Sequence, residues 1–190
     1  SDSRRLAHGL PMVVVMVLFM YVFVELKANI PVLNPFSWDP AFEALERTLH
    51  FGATPWVLLS HVTGYGAFTV FIDNVYYIWF PVMFVSAASA VIAPGNGSLR
   101  HQFLLSFILS WLVIGCLAEL LLSSAGPIFY ARVTGLADYS VLTAHLDRVH
   151  GDSMLKTIFL RDELWHTHIT AAPGFVKGIS AMPSMHNSVC

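Results

Sequence analysis

Phe103-Leu104-Leu105-Ser106-Phe107-Ile108-Leu109-Ser110-Trp111-Leu112-Val113-Ile114-Gly115-Cys116-Leu117-Ala118-Glu119-Leu120-Leu121-Leu122 carries a single charge, Glu119. A helix rises about 1.5 Å per residue, so roughly 20 such residues cross the hydrocarbon core of a bilayer. The stretch therefore reads as a membrane helix, and it sets the fold class. Glu119 lies near its far end and has two readings. It is either a functional intramembrane carboxylate or one close enough to the interface to be solvated.

The rest of the chain agrees with a membrane protein. Of 190 residues 56% are hydrophobic and 12% charged, and the mean hydropathy is +0.65. Soluble domains carry about a quarter charged residues. The formal net charge of -2 gives no basis for a nucleic-acid partner. Cys116 and Cys190 are far apart in apolar surroundings, which suggests neither a disulfide nor a metal site. The chain does not begin with Met and is expected to be a processed chain or a fragment.

Three spans are expected, at about 9–28, 68–93 and 103–122, with a fourth starting at 183. The first follows Arg4-Arg5 and lacks a small-x-small cleavage site, so it reads as an uncleaved helix. Residues 29–40 hold Pro31, Pro35 and Pro40 and read as a loop. The second span holds Asp73, Asn74 and an internal Pro81, which membrane helices tolerate. Residues 94–98, Pro-Gly-Asn-Gly-Ser, form a tight turn before Arg100.

Residues 41–62 are amphipathic. Phe42, Leu45 and Leu49 recur at helical spacing, while Glu43, Glu46 and Arg47 take other faces. Gly52 and Pro55 split the segment into two short helices, with Asp39 as a cap for the first. It lies either on the membrane surface or against other loops. Residues 123–181 are a long polar segment, of a length that usually carries function. Helices are expected there at 140–150 and 156–166. The whole chain, 1–190, reads as one integral membrane domain. Arg4, Arg5 and Arg100 flank helix ends, which places the N-terminus and the 94–98 turn inside and the long segment outside. Five basic residues also lie in that segment: Arg132, Arg148, Lys156, Arg161 and Lys177. A long loop is exported despite such charge.

Near the C-terminus stands Gly178-Ile179-Ser180-Ala181-Met182-Pro183-Ser184-Met185-His186. Pro183 fits the first turn of a helix, where its missing N–H costs nothing. The free N–H groups of Ser184, Met185 and His186 would then face an anion at the positive end of the helix. His186 adds a group that exchanges protons near neutral pH. The alternative is a helix start marked by serine and proline, with His186 as polar trim. Arg132, a bidentate partner for phosphate oxygens, and Lys177 are further candidate clamps. Either side chain is otherwise solvated or bound to lipid headgroups. His145, His150, His166 and His168 show neither HExxH nor Cys-rich spacing. They read as exposed loop residues, and no metal or other cofactor is expected. In an extended strand His166 and His168 would share a face.

Ser-Ala-Met-Pro-Ser-Met-His resembles the second signature of the type 2 phosphatidic acid phosphatase superfamily. It is most similar to the branch related to inositol phosphorylceramide synthases. Ser124-Ala125-Gly126-Pro127-Ile128-Phe129-Tyr130-Ala131-Arg132 resembles the Gly-Pro-x-Phe-Tyr stretch of that branch. It lacks the Lys-x6-Arg-Pro form of the commoner first signature. The order Asp39…Leu45-Glu46…Leu49…Gly52…Pro55-Trp56 is similar as well.

The resemblance implies an all-α, six-helix membrane bundle, of which this chain is the front part. It implies metal-independent hydrolysis or transfer of a phosphate group on a lipid, by way of a phospho-histidine. His186 would be the general acid, and Ser184 and Met185 would hold phosphate oxygens. The site would face outward from a plasma (inner) membrane. No His in the sequence matches the nucleophile of the third signature. The expectation is a longer enzyme, a partner that supplies the missing parts, or an inactive chain.

Overall fold

The computed structural model describes residues 2–92, 97–170 and 177–188, and among them there are helices and turns and no strand. Three helices are long and apolar enough to cross a membrane. They are α1 (Asp2–Leu33), α4 (Gly66–Ile92), and α5 (Gly97–Leu112) with its continuation. That continuation is a π-helical turn, Val113–Ala118, followed by α6 (Glu119–Leu121). The protein is an all-α membrane helix bundle.

The spans meet on a core of Phe23, Met83, Ala87, Phe107, Trp111 and Met185. Phe23 sets its edge against the Trp111 ring at 4.8 Å. Large apolar side chains such as Val17, Leu18, Ile78, Val85, Leu105 and Leu117 point away from the core and stay exposed. A soluble protein rarely shows such a belt, whereas lipid tails solvate it.

α1 runs five residues past the expected end, through Pro31 to Leu33. Proline has no N–H to donate, but Ile30 still accepts from the Asn34 N–H at 2.9 Å, so the last turn closes. The second and third spans start earlier than expected, at Gly66 and Gly97. Of the turn expected at 94–98, residues 94–96 lie outside the described residues.

α2 (Asp39–Leu49) and α3 (Pro55–Thr63) form the broken segment after α1. α2 packs polar side inward. Glu46 accepts from the Tyr139 hydroxyl, and Arg47 pairs with Asp138 at 2.8 Å. Leu45 and Leu49 are exposed. A helix bathed in water would bury the opposite face; this arrangement suits a surface that meets lipid.

The long segment contains α7 (Tyr130–Thr134), α8 (Ser140–Ser153) and α9 (Lys156–Thr170). It is mostly helical, so His166 and His168 lie on a helix two residues apart and do not share a face. The histidines are also not uniformly exposed. His145 and His150 are half-buried. His145 Nε2 meets the Thr69 hydroxyl at 2.9 Å, and burial lowers its pKa first, with Arg148 adding to the effect. His168 lies against Phe36 and Trp165.

The surface helices gather at one end of the spans. Asn34, after α1, donates to the Leu120 carbonyl at 2.6 Å. Asp73, in the second turn of α4, accepts from the N–H groups of Lys156 and Thr157 at 3.0 and 2.9 Å. The end of α1, the start of α4 and the end of α6 thus share one face with α2, α7 and α9.

Candidate active site

The stretch after α6 turns sharply under the control of Asp39. This carboxylate is buried and does not cap α2, whose N-cap Trp38 makes no side-chain bond. It accepts instead from the Ser124 hydroxyl at 2.6 Å and from the Ala125 and Gly126 N–H groups at 3.0 and 2.9 Å. A buried carboxylate is costly unless such donors surround it. Gly126 has φ +82°, and a Cβ there would lie 2.3 Å from the Ala181 methyl. Only glycine fits this close approach.

The second candidate stretch docks on this turn. The Ala181 N–H donates to the Ser124 carbonyl at 2.9 Å. Ile179 is buried with Phe36, Ala125 and Phe129. The two stretches singled out by sequence, 124–132 and 178–186, are therefore packed together at the head of the bundle.

The helix start differs from the sequence expectation. α10 (Met185–Ser188) begins two residues after Pro183, and the Met182–Pro183 peptide is cis. Ser184 takes the boundary: its carbonyl accepts from the Ser188 N–H at 3.2 Å and from the Ser188 hydroxyl at 2.8 Å. Serine is favoured over proline at that position. The fourth span expected from 183 is represented by this one turn, and residues 189–190, Cys190 among them, lie outside the described residues.

Met185 is buried in the core of the spans. Its backbone is thereby fixed, and His186 extends from it into an aromatic wall on α4. The His186 ring stacks on Tyr76 and lies against Trp79, both at 4.2 Å between centroids, with Phe80 edge-on at 5.4 Å. A groove of about 330 Å³ runs between α4 and α5; His186 does not line it and is separated from it by Trp79. Trp79, Met83, Ser86, Ser106, Phe107 and Ser188 line it.

The two cationic candidates are held elsewhere. Arg132 donates to Asp162 at 2.9 Å and its guanidinium lies 5.4 Å from the Trp165 ring centroid. Asp162 is shared with Arg161, and the Arg161 hydrogen bond, more than Arg132, holds its carboxyl below the usual range. Lys177 donates to Glu25 of α1 at 2.8 Å. Glu119 is 1% exposed, which excludes the solvated reading. Lys27 stands 3.7 Å from it, and the Ser180 side chain faces it.

Sequence reasoning did not single out Glu25, Lys27, Tyr76, Trp79 or Phe80. Two charges inside an apolar run, and aromatics at helical spacing 76, 79 and 80, were the available signals. Among the described residues, no three of His, Cys, Asp and Glu are grouped to hold a metal ion.

Three membrane helices together with a family match support a phosphatase-type membrane protein. The chain belongs to the PAP2 superfamily, whose family model matches residues 40–189. No curated protein and no solved structure gave a match.

Proposed function

We propose that the chain is a lipid phosphatase or phosphotransferase. It acts on a phosphate ester or phosphodiester of a lipid, through a phospho-histidine, without a metal or other cofactor. His186 is the general acid, and Ser184 with the Met185 N–H holds phosphate oxygens. Arg132 and Lys177 reach phosphate by exchanging their present carboxylate partners. None of the histidines in the sequence is assigned as the nucleophile. The branch most similar in its residues is that of the inositol phosphorylceramide synthases. The site faces outward from a plasma (inner) membrane. The observation that carries this reading is the place of His186: inside the family match and fixed by Met185 in the bundle core.

A second reading is a non-catalytic protein that binds lipid headgroups. A non-catalytic protein that binds a partner needs no phosphate clamp, and the engagement of Arg132 by Asp162 and of Lys177 by Glu25 counts against both residues as clamps. Orthovanadate, a phosphate mimic, separates the two from inert packing. With nitrogen-15 histidine in the purified chain, vanadate should shift the signal that His186→Gln removes. Shifts confined to other histidines would contradict a phosphate site at His186.

A further inference from the structure

α1 precedes the matched segment, which starts at residue 40, yet it places two charges beside the candidate site. Glu25 receives Lys177 at 2.8 Å in a tight, hydrogen-bonded pair. That pair is enough to tie residues 177–180 to α1. Lys27 is different. Among the described residues its ion pair is with Glu119, at 3.7 Å, longer than a hydrogen bond. Glu119 is fully buried, with Lys27 and the Ser180 side chain as its polar neighbours and neither in close hydrogen-bond geometry. A buried pair with so loose a geometry recovers little of its desolvation cost. Lys27 also packs under Gly178, whose added Cβ would lie 2.7 Å from Lys27 Cγ. The ammonium thus stands beside Glu119, on a side chain whose stem lies against Gly178, with three N–H donors to distribute.

We propose that Lys27 is a phosphate-binding cation of this site, contributed by α1 and kept in place by Glu119 until an oxyanion arrives. The proposal rests on the reading that residues 178–186 handle phosphate. Its ligand is a phosphate group carrying at least one negative charge. Binding moves the ammonium from Glu119 toward the phosphate oxygen; no bond is made or broken.

The role separates from a merely structural pair because the two partners act in opposite directions. A structural pair weakens when either member is lost. A cation shared with Glu119 binds phosphate more tightly once the competing carboxylate is neutralised.

The test uses the purified chain in maltoside micelles, which carry no phosphate. Binding is read from tryptophan fluorescence, since Trp79 lies against His186. Inorganic phosphate and a short-chain phosphatidic acid are titrated separately. Lys27→Met should weaken binding about ten- to a hundred-fold, the range of a hydrogen bond to a charged group. Lys27→Arg should stay near wild type, and Glu119→Gln should bind more tightly. A Lys27 effect on both probes assigns the cation to the phosphate group itself. An effect on the lipid alone assigns it to a headgroup delivered from the membrane, and both patterns support the proposal. Binding unchanged in Lys27→Met, or weakened alike in Lys27→Met and Glu119→Gln, overturns it and leaves the site reading standing. If Lys27→Met does not fold, Glu119→Gln decides alone: tighter binding supports the role, and anything else removes it. If wild type binds neither probe, the phosphate site fails, and this inference with it.

Discussion

In the proposed reaction the chemistry concentrates in one side chain, His186. A lipid alkoxide is a poor leaving group unless it is protonated as it departs, and a positioned acid contributes roughly a hundred- to ten-thousand-fold to such a step. His186→Ala, in the chain that also carries the nucleophile, should lower turnover of a phospholipid by about that factor. On a nitrophenyl phosphate, whose leaving group is already acidic, the defect should shrink. Equal defects on both substrates would make His186 a binding residue instead of an acid. His186 was legible because proline, serine and histidine stand together in four residues. Its wall of Tyr76, Trp79 and Phe80 was not, because the partners lie more than a hundred residues away on another helix. Asp39 shows the same limit. Local pattern assigns it to the helix it precedes, and the fold gives it to a turn 85 residues later.

At the scale of elements, two carboxylates organise the head of the bundle by bonding backbone across sequence. Asp39 holds the 124–126 turn. Asp73 of α4 caps the start of α9, taking the N–H groups of Lys156 and Thr157 and the Thr157 hydroxyl at 2.7 Å. Helix N-termini need such acceptors, and an acidic side chain suits the local dipole. Asp73→Ala leaves these donors without their carboxylate. It should destabilise the docking of α9 by on the order of 2 kcal/mol. Hydrogen exchange should quicken at residues 156–160 while the core of α5 stays protected. Unchanged exchange there would show that α9 is held by its apolar contacts with Val149 and Leu155 alone. Hydropathy revealed the spans because lipid demands an apolar run, and Gly52 and Pro55 revealed the break between α2 and α3 because they act locally. α1 ran longer than expected because its closing turn, past Pro31, is completed by Asn34 and its contact with Leu120. α7 was missed because a five-residue helix has too few turns to show periodicity.

Across the whole molecule, the central claim is that three spans carry every candidate functional part on one membrane face. The surface helices, the 124–126 turn and residues 178–181 all join the end of α1, the start of α4 and the end of α6, and residues 185–188 run inward from there between the spans. Ser98 begins α5 at the opposite end. Arg4, Arg5 and Arg100 favour an inside location for that end, and in the proposed orientation the candidate site faces outward. The most direct measurement is labelling of single cysteines by a membrane-impermeant thiol reagent in intact cells, in a background without Cys116 and Cys190. Cysteine in place of Asp152, exposed on α8, should react from outside. Cysteine in place of Ser98 should react only after the membrane is opened. Labelling of both from the same side would contradict the three-span arrangement, and labelling of Ser98→Cys alone from outside would turn the site to the interior.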